Sequence, residues 1–244
     1  MSERLQKLIA NAGYGSRRWA ERLIEQGRIS INNKEAILGD KATIDDRVTI
    51  DGRFIDLKRY SEEEIKVLIL NKQAGVICSN KDEEGRKSAF DFLPENTRWV
   101  MVGRLDLNTS GLLLFTNNGE LANKLMHPSS EIDREYAVRV LGKVESEHIR
   151  KLTSGIELDD GFAKFHKITV GGGEGANRWY HVVVREGRKR EVRRLWEALD
   201  FKVSRLIRTR FGDIRLPDNL RANQSEYLKP KQVQSLLNSV NLKA

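Results

Sequence analysis

The chain has 244 residues, 39% apolar and 32% charged, with a formal net charge of +8 and one cysteine, Cys78. That length accommodates one large domain or two smaller ones around a sizeable core. A single cysteine excludes an intrachain disulfide and a cysteine-built zinc site. No apolar run approaches the ~20 residues of a membrane span, and Met1-Ser2-Glu3-Arg4-Leu5 lacks the apolar core of a secretory signal. A cytoplasmic protein with no membrane partner is therefore expected. The charge is unevenly placed: Arg185 to Ala244 holds fifteen Lys/Arg against seven Asp/Glu, a surplus of eight, so the remainder is balanced. A basic excess at one end fits a polyanionic partner contacted there, and it fits a solvated basic surface equally well.

Along residues 3–57, Leu5, Leu8 and Ile9 have helical spacing, broken by Gly13 and Gly15. Ser16 is placed to cap a second helix with Trp19, Ala20, Leu23 and Ile24 inward and Gly27 at its end. Arg17, Arg18 and Arg22 then share its exposed face. A short strand from Arg28 to Ile31 leads into an Asn32-Asn33 turn, and Ile44 to Leu57 predicts further strand around an Asp51-Gly52 hairpin turn. Lys58 to Glu64 is polar and is expected to be a linker.

Beyond it, strands are predicted at Ile65–Leu70, Val76–Ser79, Trp99–Val102, Leu112–Thr116, Glu135–Val140, Tyr180–Arg185 and Phe201–Ile207. Helices fit Glu120–Met126, Ser146–Ser154 and Glu191–Ala198. Gly171 to Gly175 is expected to be a flexible loop, and Gln232 to Ala244 a short amphipathic helix or disordered. The glycine run is no phosphate loop, because no Lys-Ser or Lys-Thr follows it. Without regular βαβ alternation, the order predicts an α+β fold with a largely antiparallel sheet. The boundaries expected are 1–57, 58–64 and 65–244.

Gly103-Arg104-Leu105-Asp106-Leu107-Asn108-Thr109-Ser110-Gly111-Leu112 lies between two predicted strands. A carboxylate among small turn residues suits an active-site loop, and on its own it equally suits a turn cap. Tyr136 falls in the alternating stretch Tyr136-Ala137-Val138-Arg139-Val140, where an ordinary core tyrosine is the plain reading. The four histidines, His127, His148, His166 and His181, are scattered and make no metal-ligand cluster.

Arg4-Leu5-Gln6-Lys7, Gly15-Ser16-Arg17-Arg18 and Gln26-Gly27-Arg28-Ile29-Ser30-Ile31-Asn32 together resemble the S4 RNA-binding domain. A helix face with three arginines neutralises phosphates without reading bases. Arg104-Leu105-Asp106 with Thr109-Ser110-Gly111-Leu112 resembles the catalytic motif of RNA pseudouridine synthases. Asn71-Lys72-Gln73-Ala74-Gly75 resembles their early motif, with Gln73 where a proline is usual. Arg134-Glu135-Tyr136, Gly187 to Arg194, and Val203 to Arg208 resemble three further motifs, in order. The chain is thus similar to the small-subunit-type branch, which carries an N-terminal S4 domain, and two stretches, Asn117 to Pro128 and Gly172 to Tyr180, are most like its large-subunit members.

The resemblance implies a small S4-type α/β domain followed by a synthase domain with a largely antiparallel mixed sheet. It implies isomerisation of uridine to pseudouridine in ribosomal RNA, in 23S RNA or a large-subunit assembly intermediate, by a monomer needing no cofactor and no metal. Asp106 takes the part of nucleophile, Tyr136 stacks on the base, Arg193 pairs with Asp106, and Leu206 walls the pocket. Arg17, Arg18, Arg22, Arg104, Arg188, Lys189, Arg190 and Arg194 are the expected RNA-binding residues. The second reading is an RNA-binding protein or ribosome assembly factor whose synthase domain is inactive. A metal-dependent nuclease lacks its second carboxylate motif.

Overall fold

A computed structural model describes residues 2–58, 64–79, 82, 84–95, 97–173 and 176–242. The chain divides into two compact units, Met1–Glu64 and Ile65–Ala244. Most of the stretch expected to be a linker (59–63) and residues 174–175 of the glycine run lie outside the described residues.

In the first unit, helices Leu5–Asn11 and Arg17–Glu25 bury Leu5, Leu8, Ile9, Ala20, Leu23 and Ile24 against a small antiparallel sheet. Ser16 caps the second helix by accepting a hydrogen bond from the Trp19 amide at 3.1 Å. The sheet runs Lys34–Glu35, Ile29–Ile31, Val48–Ile50, Arg53–Ile55. Its two hairpins turn at Asn32-Asn33 and Asp51-Gly52, all four residues at positive φ. That backbone is the one whose twist matches flanking strands in a two-residue turn.

The second unit is built on a nine-stranded sheet. Its main path runs Lys167–Gly172, Asn177–Val184, Arg134–Leu141, Lys202–Phe211, Ser110–Thr116, Val67–Lys72, Ser225–Tyr227. Val100–Val102 adds to Ser110–Thr116, and Ile214–Arg215 to Lys202–Phe211. Every pairing in this sheet is antiparallel except the seam of Lys202–Phe211 with Ser110–Thr116, where Ile207 faces Ser110 and Arg208 faces Gly111. The sheet is therefore mixed and mostly antiparallel.

The run Leu112 to Phe115 is apolar at every position because both faces of its strand are covered. Leu112 and Leu114 join Val67 and Ile69 beneath helices Gly119–Met126 and Pro230–Ser239. Leu113 and Phe115 join Leu68, Leu70 and Leu105 on the opposite face. A third cluster packs Val138, Val182, Val184 and Leu206 under Trp196 of helix Glu191–Glu197.

Two expectations are corrected. Val76–Ser79 is no strand; only Ile77 makes an isolated bridge, to Ser88. Gly171 and Gly172 are not loop but the end of an edge strand, which pairs through its backbone and so needs no side-chain pattern. Of the two forms expected for the C-terminal stretch, the helix is the one formed, Pro230–Ser239, anchored by buried Leu236 and Leu237. The hairpin Ile156–Leu158/Gly161–Ala163 and the strand Ser225–Tyr227 lacked periodicity and went unforeseen.

Candidate active site

The loop bearing Asp106 leaves strand Val100–Val102 and returns into Ser110–Thr116, so it opens at the sheet seam. The Thr109 amide donates to the Asp106 carbonyl at 3.0 Å and closes the turn. Beneath it lies Lys72, fully buried at the end of Val67–Lys72. Its ammonium donates to the carbonyls of Thr109 (2.8 Å), Gln73 (3.1 Å) and Asp106 (3.3 Å). Burial pulls the Lys72 pKa down, while Cys78 and Asp106 act in the other direction. The Gly75 amide also donates to the Leu107 carbonyl at 2.8 Å. The early motif is thus a buttress for the aspartate loop. Gln73 uses what a proline lacks: its amide donates to Asn223 Oδ1 at 3.1 Å, and its Oε1 accepts from Asn223 Nδ2 at 2.9 Å.

Asp106 is half-buried, and no hydrogen bond from another described residue reaches its carboxylate. It lines a cavity of about 540 Å³ together with Tyr136, Leu206, Arg134, Arg208 and Glu191. Tyr136 is half-buried and packs against two of the core clusters, which fixes its ring at the wall. Leu206, 4% exposed, stands opposite Val138 in the neighbouring strand. Arg134 and Arg208 both lie over the Phe211 ring, at 5.4 and 5.5 Å. Arg134 donates to the Arg185 carbonyl at 2.9 Å and Arg208 to the Leu112 carbonyl at 2.7 Å. Neither forms an ion pair with a described carboxylate, although Arg134 feels the charge of Glu191 across the cavity.

Arg193 is 8% exposed and clamps the site from behind. Its guanidinium donates to the Asn108 carbonyl at 2.9 Å and the Val203 carbonyl at 3.0 Å. The direct ion pair with Asp106 expected from the sequence is not made. Arg193 instead holds the backbone two residues past the aspartate, and feels its charge from there. Burial first and Arg190 next lower the Arg193 pKa, against attraction from Asp106.

The basic run around Gly187 is largely engaged in intramolecular bonds. Arg194 grips both oxygens of Asp160 at 2.8 Å. Arg188 donates to Glu186 and to the carbonyls of Gly161 (2.9 Å) and Phe162 (2.7 Å). Arg190, at φ +54, pairs with Glu197 at 2.8 Å. Lys189 and Arg104 are exposed and form no ion pair with a described residue. In the first unit Arg17, Arg18 and Arg22 are likewise exposed and unpaired among the described residues.

Residues 66–198 match the family model for RNA pseudouridylate synthase, and residues 3–48 match the S4 domain. The chain belongs to the RNA pseudouridylate synthase family. It is 52% identical over 224 residues to Ribosomal large subunit pseudouridine synthase B of Yersinia pestis, spanning 90% of this chain and 70% of that one. Against the protein of the same name from Salmonella typhi it is 54% identical over 224 residues, 90% and 77% of the two chains. A crystal structure of a pseudouridylate synthase superposes with a TM-score of 0.67 at 26% identity, covering 96% and 99% of the two chains.

Among the described residues no helix is long and apolar enough to cross a membrane, and no three His, Cys, Asp or Glu side chains gather to hold a metal. Lys72, Arg134, Arg208 and Glu191 also fall within the family-like motifs, but the motifs alone do not mark their parts. For Lys72 the signal was available: an apolar strand buried on both faces carries its last lysine into the core.

Proposed function

We propose that this chain isomerises uridine to pseudouridine at a defined position of large-subunit ribosomal RNA, 23S RNA, with Asp106 as nucleophile. The observation that carries the reading is the cavity itself: it brings Asp106, Tyr136 and Leu206 together with Arg134 and Arg208, neither of which forms an ion pair with a described residue. The reaction breaks the C1′–N1 bond, turns the uracil, joins C1′ to C5, and moves a proton from C5 to N1. The target must leave its stack to reach an enclosed carboxylate. Stacking on Tyr136 is worth ~1–3 kcal/mol and offsets the unstacking. As N1 departs, negative charge grows on the uracil, and fixed cationic groups in a closed site stabilise it without reorganising. Arg193 and Lys72 keep the Asp106 loop in place through its backbone carbonyls.

The related curated proteins carry large-subunit synthase names, which supports the choice of 23S RNA over other RNAs. The free arginines of the first unit support a phosphate-contacting role for the S4 module, and Lys189 and Arg104 are the cations left to meet RNA at the cavity mouth. We read the protein as a cytoplasmic monomer acting where ribosomes are made.

The test is Asp106→Ala, expressed in cells deleted for the gene, with pseudouridine mapped across ribosomal RNA. One site should be lost while RNA binding persists. A deletion strain that keeps every site overturns the enzyme reading and leaves the RNA-binding one.

A further inference from the structure

Glu191 lines the same cavity as Asp106 and is 5% exposed. Its Oε2 is buried without a hydrogen-bond partner among the described residues. Charged neighbours face it from three directions: Glu186 and Arg188 on the preceding loop, Arg134 on strand Arg134–Leu141, and Arg194 on its own helix. None of the cations forms an ion pair with it. Arg188 is tied to Glu186 and to hairpin carbonyls, Arg194 to Asp160, and Arg134 to the Arg185 carbonyl. The Arg188 backbone N–H hydrogen-bonds to the carboxylate, which leaves Oε2 as the unpartnered oxygen. A buried carboxylate with an unpartnered oxygen takes up a proton more readily than an exposed one. Burial first, and then Glu186, push the Glu191 carboxyl up to about 7, against Arg188 and Arg134.

We propose that Glu191 serves the cavity as a neutral carboxylic acid, its O–H donating to an acceptor oxygen of the bound nucleotide, and that its ionisation weakens RNA binding. This rests on the synthase reading above. A uracil offers carbonyl acceptors and its flanking phosphates offer anionic ones. A carboxylate has no proton to give either, and it repels the phosphates. Protonation and RNA binding are therefore linked, and apparent affinity falls in proportion to the protonated fraction.

The measurement is the pH dependence of KM and kcat on an unmodified 23S rRNA transcript, with Kd for the same transcript by filter binding. For the wild-type chain, KM and Kd stay level below pH ~6.5 and rise about tenfold per pH unit above the midpoint, while kcat at saturating RNA does not follow them. Glu191→Gln keeps a donor and cannot ionise, so its KM and Kd cease to climb. Glu191→Ala removes the donor and raises KM at every pH.

The proposal is overturned if wild-type KM and Kd are flat to pH 8.5, or if Glu191→Gln retains the alkaline rise. It is also overturned if folded Glu191→Gln loses about a hundredfold in kcat at all pH values, the mark of an ionised general base. The wild-type profile alone decides the matter should either variant misfold. A wild-type enzyme inactive at every pH strikes at the synthase reading, and the Kd profile still judges Glu191.

Discussion

Gly111→Ala probes the seam that joins the two halves of the synthase sheet. Gly111 sits at φ +101 opposite Arg208. A Cβ there would stand 2.3 Å from the Arg208 carbonyl oxygen, 2.8 Å from its nitrogen and 2.9 Å from Ile207 Cγ2. Two of the three atoms are backbone, so relief requires the strands to part. An L side chain at this φ costs ~1–2 kcal/mol, and each ladder hydrogen bond lost costs about 1 kcal/mol more. With two such bonds and the displaced packing of Leu206 and Arg208, the total is about 4 kcal/mol, at the high end for one substitution. Gly75→Ala is the control: φ is +91, yet nothing lies within 4 Å of the added carbon, so only the ~1–2 kcal/mol conformational cost applies. Urea unfolding of the full chain, followed by tryptophan fluorescence, to which buried Trp196 contributes, measures both. Because Leu206 and Arg208 line the cavity, Gly111→Ala should also lose more than tenfold in kcat/KM under conditions where it stays folded. A Gly111→Ala chain no less stable than Gly75→Ala refutes the argument.

Lys72→Met strips two carbonyls of the Asp106 loop, and that of Gln73, of their donor; a net loss of about 2 kcal/mol is expected, with kcat falling more than KM changes, and an unaltered kcat removes Lys72 from the site. The Glu191 carboxyl is raised from 4.5 to about 7 in the folded chain, so it binds its proton more tightly folded than unfolded. Its stabilising contribution is complete below pH 4.5 and is lost as pH climbs to 7, about 3 kcal/mol in all; Glu191→Gln should flatten that slope in denaturation curves, and parallel slopes contradict it. Ser16→Ala deletes the cap at Trp19 N and should destabilise the first unit by about 1 kcal/mol, seen as a lowered Tm that Ser16→Asp restores. Replacing Arg17, Arg18 and Arg22 together with Gln should reduce the log–log salt slope of RNA binding by about 2–3; an unchanged slope takes the S4 helix face out of the RNA contact.

Local signals in the sequence were enough for the helices and turns of the first unit, because caps and left-handed turn residues act over three or four positions: Ser16, Asn32-Asn33 and Asp51-Gly52 sit where their chemistry places them. They were also enough for the central strands, whose continuous apolar runs follow from two covered faces. Edge elements such as Lys167–Gly172 pair through backbone groups alone and leave no periodic trace.

The site divides in the same way. By itself the sequence determined the order of motifs, and with it the loop that carries Asp106 and the strands that carry Tyr136 and Leu206. Only the tertiary structure decided which charges are spent and which are free. It bonded Arg193 to the Asn108 and Val203 carbonyls rather than to Asp106, and it tied Arg188 and Arg194 to the Asp160 hairpin. It buried Lys72 under the aspartate loop and left Glu191 without an ion-pair partner among the described residues. Sequence spacing fixes which residues a strand or helix presents, but the partner of a buried charge comes from a segment tens of residues away, and burial and distance together set its protonation.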